Sequence, residues 1–330
     1  MNFNNKSILI TGGAGFIGSN LAFFFQDNFP SSEVVIFDCF GNNERFENGN
    51  LKTFGNFNNL IKFKGEIICG DLNNNEDLQK LNKYKFDFIF HQAAISDTRI
   101  YNQEFVMRTN VNSFYDILEL TKNNNAVLVY ASSAATYGDS LSPQQIGREN
   151  PQNPYGFSKY IMDQIALRFI KSYKNISIFG LRFFNVYGPG EFYKEKTSSM
   201  ILQLGHQILN NQSPRLFKNS EKIFRDFIHI DDVIQANILA AQAQKSGIYN
   251  IGTGTPSSFK DIVDNLQEVF NTNLEIEYFD NPFIDYQKHT QANIDSSHKN
   301  LGFVPKISLD EGIKLYANEI LRTYKVLVDA

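Results

Sequence analysis

Cysteine is scarce in this sequence of 330 residues, and its distribution excludes two kinds of stabilising site. The chain has two cysteines, Cys39 and Cys69, which form no CxxC motif and have no neighbouring histidine. Disulfide-rich domains and structural zinc sites need clustered or paired cysteines. We therefore expect no metal site, and a reducing cytoplasm as the location of the protein.

Long apolar runs and a strong charge of one sign are also missing. No stretch of about 18 uncharged apolar residues occurs, and residues 1–13 lack the apolar segment of a signal peptide. Lys and Arg number 31 and Asp and Glu 35, which gives a net charge of −4. This balance provides no basic surface for nucleic acid or an anionic membrane. We expect neither as a partner.

Apolar and polar segments alternate in the first half, and this alternation predicts an α/β fold. Six nearly unbroken apolar runs are typical of parallel strands that are covered on both faces. They span 7–11, 33–38, 66–70, 86–91, 127–131 and 176–182. Helical patterns lie between them, at 15–28, 75–81, 105–122 and 155–171. The order predicts a doubly wound parallel sheet of the Rossmann type.

The alternation breaks down after about residue 186. Helices predicted at 198–209, 230–244 and 259–270 are separated there by polar loops and short strands. We expect a nucleotide-binding domain over 1–185 and a smaller C-terminal substrate-binding lobe over 186–330, interleaved with the first.

Glycines follow the first predicted strand and begin the first helix. Residues 11–18 read TGGAGFIG, with Gly12, Gly15 and Gly18 in a G-x-x-G-x-x-G pattern. Small residues here permit a tight turn and the approach of a pyrophosphate to the helix N-terminus. The pattern and its strand–helix context indicate dinucleotide binding.

Further polar residues end the neighbouring strands. Asp38 lies 20 residues after Gly18, where a carboxylate can bind an adenosine ribose, and Asp71 follows the third strand. Asp38 favours NAD, because it would repel a 2′-phosphate. Arg45, in the following loop, would neutralise that phosphate and favours NADP. Both alternatives stay open at this point.

A tyrosine and a lysine begin the predicted helix at 155–171. Tyr155 and Lys159 form a Y-x-x-x-K motif, and the four-residue spacing places them on one helix face. We expect the ammonium to lower the pKa of the phenol toward neutral pH, so that Tyr155 can transfer a proton. Ser133 ends the strand before this helix, at the edge where open sheets bind ligands.

Together these motifs make the whole chain similar to the extended short-chain dehydrogenase/reductases, in the branch of nucleotide-sugar epimerases and dehydratases. The resemblance implies a catalytic Ser133–Tyr155–Lys159 triad, in which the lysine also holds the nicotinamide ribose. It implies NADP, with NAD as the alternative, and a homo-oligomer. The cofactor-binding positions then also include Phe16, Ile17, Cys39, Gln92, Ala93, Ala94, Ser96, Asn110, Val186 and Lys194.

Later segments resemble the epimerases that invert C6 of an ADP-linked heptose, which supply the inner core of lipopolysaccharide. These segments are 183–189, 213–217 with Ser220, 225–227 and 286–291. The implied substrate contacts are Ser133, Asn185, Lys196, Gln203, Phe217, Ser220, Arg225 and Tyr286. A second acid/base is expected at Lys194, with Lys196 as the alternative. Gly190 stands where many members have arginine.

The activity that this resemblance implies is a transient oxidation at C6 followed by reduction from the other face. Two other reactions are alternatives: C4 epimerisation of a uridine sugar nucleotide, and 4,6-dehydration. Dehydratases need an acid–base pair after the catalytic hydroxyl, and this chain has Ala134 and Ala135 there. The sequence therefore favours epimerisation.

Overall fold

A sheet of seven parallel strands forms the centre of the molecule. The computed structural model describes residues 2–282 and 287–329. The strands lie in the order β11-β6-β5-β4-β1-β2-β3, and all six neighbouring pairs are parallel. They span β1 Ser7–Thr11, β2 Glu33–Asp38, β3 Glu66–Cys69, β4 Phe88–His91, β5 Val127–Ser133, β6 Ser177–Phe183 and β11 Gly247–Ile251. This confirms the predicted doubly wound sheet.

Helices cover both faces of this sheet, which explains why its strands are apolar throughout. The helices are α1 Phe16–Asn28, α2 Asn75–Gln79, α3 Gln103–Met107, α4 Ser113–Asn124, α5 Pro154–Ser172, α7 Ile230–Gln242 and α9 Asp295–Leu301. One apolar core joins the sheet to α1 and α7, and a second joins it to α4 and α5. Burial on both faces makes the strands a rigid base for the loops at their carboxyl ends.

A smaller lobe follows β6 and has its own apolar core. Three helices, α6 Met200–Leu209, α8 Phe259–Phe270 and α10 Leu309–Val328, pack on one another. Short strands complete it: β7 Asn185–Tyr187, β8 Arg215–Phe217, β9 Phe224–Arg225, β10 Phe227–His229, β12 Ser257–Ser258 and β13 Glu277–Phe279. They pair as β7–β10, β9–β12 and β8–β13.

The chain crosses between the two parts more than once. The strand β11 lies beyond residue 186 and yet pairs in parallel with β6, where it forms one edge of the main sheet. The single boundary at 185/186 therefore does not describe the sheet, which takes α7 and β11 from the second half. The two parts are interleaved in sequence.

Several predicted elements differ at their ends or in their regularity. The helix predicted over 105–122 is two helices, α3 and α4, joined by a π-helical turn at Arg108–Asn112. The helix predicted over 75–81 is α-helical only to Gln79, and a 3-10 turn, Lys80–Lys83, follows it. The fifth strand extends to Ser133, so this hydroxyl lies on the strand itself. Within the described ranges, we find no helix with the length and apolarity needed to cross a bilayer.

Candidate active site

A cleft of about 570 Å³ opens at the carboxyl ends of the parallel strands, where the main sheet meets the lobe. This edge is where open α/β sheets bind ligands. The cleft contains most residues that the sequence assigned to the site. From the cofactor set these are Gly12, Gly15, Phe16, Ile17, Gly18, Asp38, Cys39, Asp71, Gln92, Ala93, Ala94, Ser96, Val186, Lys159 and Lys194. From the catalytic and substrate sets they are Ser133, Tyr155, Asn185 and Arg225.

The glycines bring the backbone close together at the start of α1. Gly12 has φ +69°, and a Cβ on it would lie 2.6 Å from the Ala93 nitrogen. A Cβ on Gly18 would lie 2.2 Å from the Gly12 oxygen. Gly15 caps the helix without a side-chain hydrogen bond. The first N–H groups of α1 thus face a cleft that suits a pyrophosphate.

Asp38 is fixed at the end of β2 by two backbone donors. Its carboxylate accepts hydrogen bonds from the N–H of Ala14 at 2.9 Å and of Phe40 at 2.8 Å. Burial raises the pKa of Asp38, and these hydrogen bonds oppose the shift. Gly55 packs so closely that a Cβ there would lie 2.2 Å from an Asp38 oxygen. These contacts fix the Asp38 carboxylate at the wall of the cleft, in a position that can bind a ribose.

Arg45 does not line the cleft, contrary to the expectation that it meets a 2′-phosphate. Its guanidinium makes a bidentate pair with Glu195, at 2.8 and 3.0 Å, and donates to the Gly49 carbonyl. Lys52, in the same loop after β2, lines the cleft instead, and its ammonium pairs with the exposed Glu44 at 3.1 Å. Of these two cations, only Lys52 therefore lines the cleft together with Asp38.

Ser133, Tyr155 and Lys159 come together on the wall formed by β5 and α5. Asn153 caps α5 by accepting from the Gly156 N–H at 2.8 Å, which starts the helix just before Tyr155. Lys159 is buried and donates to the Ala131 carbonyl at 2.7 Å. Burial lowers its pKa to about 7, and the Asp163 carboxylate one turn further along opposes that shift.

The expected direction of the Tyr155 pKa is wrong for this structure. Burial raises the pKa of the phenol, and only a hydrogen bond with Ser133 opposes it. The Lys159 ammonium lies 6.0 Å from the centre of the Tyr155 ring and is directed to the Ala131 carbonyl. It does not pair with the phenolic oxygen, so desolvation outweighs its charge. The phenol is therefore harder to ionise than the motif alone predicts.

A buried group of charges lies directly behind this wall. Asp163 accepts hydrogen bonds from Arg182 at 2.8 Å, Tyr130 at 2.7 Å and Ser132 at 3.0 Å. Arg182 also pairs with Glu149, and both Arg182 and Asp163 are almost fully buried. The network ties α5 to β5 and β6 and so fixes the helix that carries Tyr155 and Lys159.

A separate segment brings Lys194 into the cleft. Residues Phe192–Thr197 form a 3-10 turn with a kink at Glu195, whose φ is +49°. The Lys194 ammonium lies 5.5 Å from the centre of the Phe16 ring, at the start of α1. Lys196 is exposed and lies outside the cleft. The kink therefore separates the two lysines that the sequence could not distinguish.

Arg225 lies in the substrate half of the cleft, next to Asn185. Its guanidinium donates to the carbonyls of Phe224 and Gln287. The adjacent Asp226 accepts instead from the N–H groups of Thr253, Gly254 and Ala292. The side chain of Arg225 is therefore positioned by main-chain carbonyls at a wall of the cleft.

Five other predicted site residues lie outside the lining of the cleft. Asn110 is buried and holds the chain at Ile95 with hydrogen bonds of 2.8 and 2.9 Å. Gln203 donates to the Ser198 carbonyl, and so fixes the segment after Lys194. Ser220 is buried, and Phe217 packs on Phe279 in the lobe. Lys196 is the fifth, and Tyr286 lies outside the described residues.

The sequence analysis missed two groups of residues that line the cleft. They are 52–55, in the loop after β2, and 197–200, at the start of α6. The hydroxyl run Thr197, Ser198 and Ser199 was a usable signal, because it follows Lys196 directly and its last residue caps α6. Among the described residues, no group of His, Cys, Asp or Glu side chains could hold a metal ion.

Comparisons with known proteins agree with this geometry. Residues 8–252 match the NAD dependent epimerase/dehydratase family. The chain belongs to this family. This match covers the glycine turn, the Ser133–Tyr155–Lys159 group and Lys194, and it supports a nicotinamide dinucleotide as the cofactor of the cleft.

Relatives within the family include enzymes that act on heptoses. The chain is 36% identical over 319 residues to an ADP-L-glycero-D-manno-heptose-6-epimerase of Brachyspira hyodysenteriae, which covers 94% of this chain and 96% of that protein. It is 45% identical to the crystal structure of the Helicobacter pylori enzyme of that name, with a TM-score of 0.87 and 97% of each chain covered. It is 25% identical to a Thermotoga maritima UDP-glucose 4-epimerase solved with UDP-glucose, with a TM-score of 0.84 and 97% and 99% covered.

Proposed function

We propose that this protein epimerises C6 of the heptose in ADP-D-glycero-β-D-manno-heptose and so forms the ADP-L-glycero epimer. One observation carries the proposal: two side chains that can transfer protons, Tyr155 and Lys194, line the same cleft from different segments of the chain. Inversion of an alcohol carbon needs proton transfer on both of its faces, whereas a simple dehydrogenase needs one. The similarity to two heptose 6-epimerases supports the choice of sugar.

The residues of the cleft have separate tasks in this reaction. A bound nicotinamide dinucleotide supplies a reversible hydride acceptor. Tyr155 holds or moves the proton of the C6 hydroxyl on one side, and Ser133 hydrogen-bonds the same oxygen. Lys194 transfers the proton of this oxygen after the C6 carbonyl group has rotated, when the oxygen lies on the side of the cleft away from Tyr155. Arg225 binds the pyrophosphate of the substrate, since a guanidinium suits phosphate oxygens.

The cofactor that we propose is NADP rather than NAD. The uncapped first turn of α1 fits the pyrophosphate, and Asp38 fits the ribose at the end of β2. Lys52 in the cleft provides the positive charge that a 2′-phosphate needs beside this carboxylate. Arg45, which pairs with Glu195, is not required for this role.

Dehydration is disfavoured by the residues that follow Ser133. Ala134 and Ala135 begin a 3-10 turn, Ala134–Tyr137, with methyl groups where an acid and a base would be needed. A methyl group cannot transfer a proton, so the elimination of water has no catalyst at this position.

A direct assay tests the proposed reaction. The purified protein is incubated separately with ADP-D-glycero-β-D-manno-heptose and with UDP-glucose, and the products are followed by NMR. We expect inversion at C6 of the heptose and no C4 epimer of the glucose nucleotide. Turnover of UDP-glucose alone would assign the protein to C4 epimerisation instead.

We also propose that the protein is a homo-oligomer that retains its dinucleotide. A mass spectrum of the undenatured protein measures both properties at once. We expect a mass that is a multiple of the 37.7 kDa chain plus one NADP per subunit. A bare monomer that also fails to bind either dinucleotide on titration would contradict the proposal.

A further inference from the structure

A fully buried carboxylate lies at the start of the segment that carries Lys194. Glu191 is 0% exposed. Its side chain accepts hydrogen bonds from the Gly188 N–H at 3.3 Å, the Ser199 N–H at 2.6 Å and the Ser199 hydroxyl at 2.6 Å. One carboxylate therefore joins the chain before Lys194 to the chain after it, and closes this segment into a loop.

The same residue also holds the backbone of Lys194. The Lys194 N–H donates to the Glu191 carbonyl at 3.0 Å. The backbone kink at Glu195 then leaves the ammonium of Lys194 directed to Phe16 in the cleft. The position of Lys194 thus depends on a loop whose two ends meet at Glu191.

The charge of Glu191 acts on Lys194 as well. Burial lowers the pKa of Lys194, and the negative charges of Glu191 and, more weakly, Asp97 in the loop after β4 oppose that shift. Burial raises the pKa of Glu191, and the Lys194 charge and the hydrogen bonds from Ser199 and Gly188 oppose it. Tyr316, on α10, lies near Glu191, and burial and the negative charge of Glu191 raise the pKa of its phenol.

A purely structural role does not account for a charged group at this position. Ser199 already caps α6 through its hydroxyl, which accepts from the Leu202 N–H. Neutral acceptors can satisfy the N–H groups of Gly188 and Ser199 at a lower cost of desolvation than a carboxylate. The positive charge of Lys194, on the same loop, favours the ionised form of this carboxylate.

We infer that Glu191 is a positioning residue for Lys194, because its buried carboxylate joins the two ends of the loop that places the ammonium in the cleft. The consequence for catalysis rests on the proposed function, in which Lys194 transfers a proton. The contact between the two residues does not depend on that function, so it can be tested separately.

The test compares Glu191→Gln with the wild type by amine labelling over a range of pH. A small acylating reagent reacts with neutral amines, and the extent of reaction at Lys194 is read by peptide mass spectrometry. We expect the midpoint for Lys194 to fall by about one pH unit, because loss of a nearby negative charge disfavours the ammonium. Lys196, which is exposed, is an internal reference whose midpoint should not move.

Glu195→Gln is the matched control variant. It removes one negative charge from the same loop, but its carboxylate is exposed and faces Arg45. We expect its Lys194 midpoint to stay within about 0.3 pH unit of the wild type, since exposed charges are strongly screened. An equal fall in both variants would overturn the inference, because it would show a general effect of loop charge.

Activity provides the second measurement. In the epimerase assay we expect Glu191→Gln to lower kcat about tenfold or more, with a smaller change in KM, because proton transfer is impaired and not binding. An unchanged Lys194 midpoint together with a kcat within threefold of the wild type would overturn the inference. If the wild type does not epimerise heptose, the proposed function fails while the labelling result still decides the role of Glu191.

The variant Glu191→Asp extends the test if the glutamine variant does not fold. Its carboxylate is withdrawn by one methylene and cannot reach both ends of the loop. We expect the Lys194 midpoint to fall in the same direction by about half a pH unit. A midpoint equal to that of the wild type would again overturn the inference.

Discussion

Two walls of one cleft carry the proposed acid–base groups, and they are built in different ways. Ser133, Tyr155 and Lys159 lie on a strand and a helix that a buried network of charges ties together. Lys194 lies on a short kinked turn between two parts of the fold. The positions of side chains on regular helices and strands can be predicted from their spacing in the sequence. The position of a side chain on an irregular turn depends instead on the contacts that join the two ends of the turn.

Removal of the Tyr155 hydroxyl has the largest expected effect on the regular wall. Tyr155→Phe keeps the ring and its packing but removes the hydroxyl that, in the proposed function, exchanges a proton with the substrate. We expect kcat to fall by about 10²–10⁴-fold. The circular dichroism spectrum and melting temperature should be close to those of the wild type. Activity within threefold of the wild type, with the fold intact, would exclude Tyr155 as the acid/base.

The network behind that wall can be broken through Asp163. Asp163→Asn leaves Arg182 buried with one of its two carboxylate partners lost. Because an uncompensated buried charge is costly, we expect the free energy of unfolding to fall by about 3 kcal/mol or more. Denaturant unfolding measures it. Asp264→Asn is the control, since Asp264 pairs with Lys260 on the exposed side of α8 and should change stability by less than about 1 kcal/mol.

Lys159 makes the stability of the regular wall depend on pH. Its folded pKa of about 7 lies below the value of 10.5 for a free lysine. The unfolded chain therefore binds more protons between these values, and this group makes the folded state more stable as pH rises. We expect the wild type to gain about 2 kcal/mol relative to Lys159→Met between pH 6.5 and 9.

Unfolding of both proteins by urea at several pH values measures this difference, in which the other titrating groups cancel. A constant difference across the range would show that Lys159 keeps an ordinary pKa in the folded protein. Such a result would contradict the burial of its ammonium against Ala131.

The smallest expected effect concerns the loop after β2, where two cations have different surroundings. Lys52→Ala should lower the preference for NADP over NAD by about tenfold, because a charge-assisted contact to a phosphate is lost. Arg45→Ala should leave this preference within about twofold, since Arg45 pairs with Glu195 outside the cleft. Fluorescence titration with both dinucleotides gives the ratio. The reverse order of the two variants would show that the loop rearranges when the cofactor binds.

The sequence could predict the sheet and the regular wall for physical reasons. Apolar runs mark strands that are buried on both sides, and a four-residue spacing on α5 places Tyr155 and Lys159 on one face. The position of Ser133 could also be predicted, because this residue ends β5 at the carboxyl edge of the sheet.

The remaining features depend on contacts between distant segments. The different positions of Lys194, in the cleft, and Lys196, outside it, accompany the backbone kink at Glu195, which no spacing rule predicts. Arg45 does not line the cleft, contrary to the prediction, because its guanidinium pairs with Glu195, which lies 150 residues away in the sequence. The pKa of Tyr155 was predicted in the wrong direction, because the motif shows the neighbouring charge but not the burial or the Ala131 carbonyl that takes the ammonium.

Paired substitution of the two lysines tests the central claim, that proton transfer comes from both walls of the cleft. Lys194→Met and Lys196→Met are assayed side by side for epimerisation of ADP-D-glycero-β-D-manno-heptose, with kcat and KM measured separately. We predict that Lys194→Met lowers kcat by about 10²-fold or more, whereas Lys196→Met stays within about twofold of the wild type. A Lys194→Met enzyme with a raised KM and an unchanged kcat, or a Lys196→Met enzyme without turnover, would contradict the account.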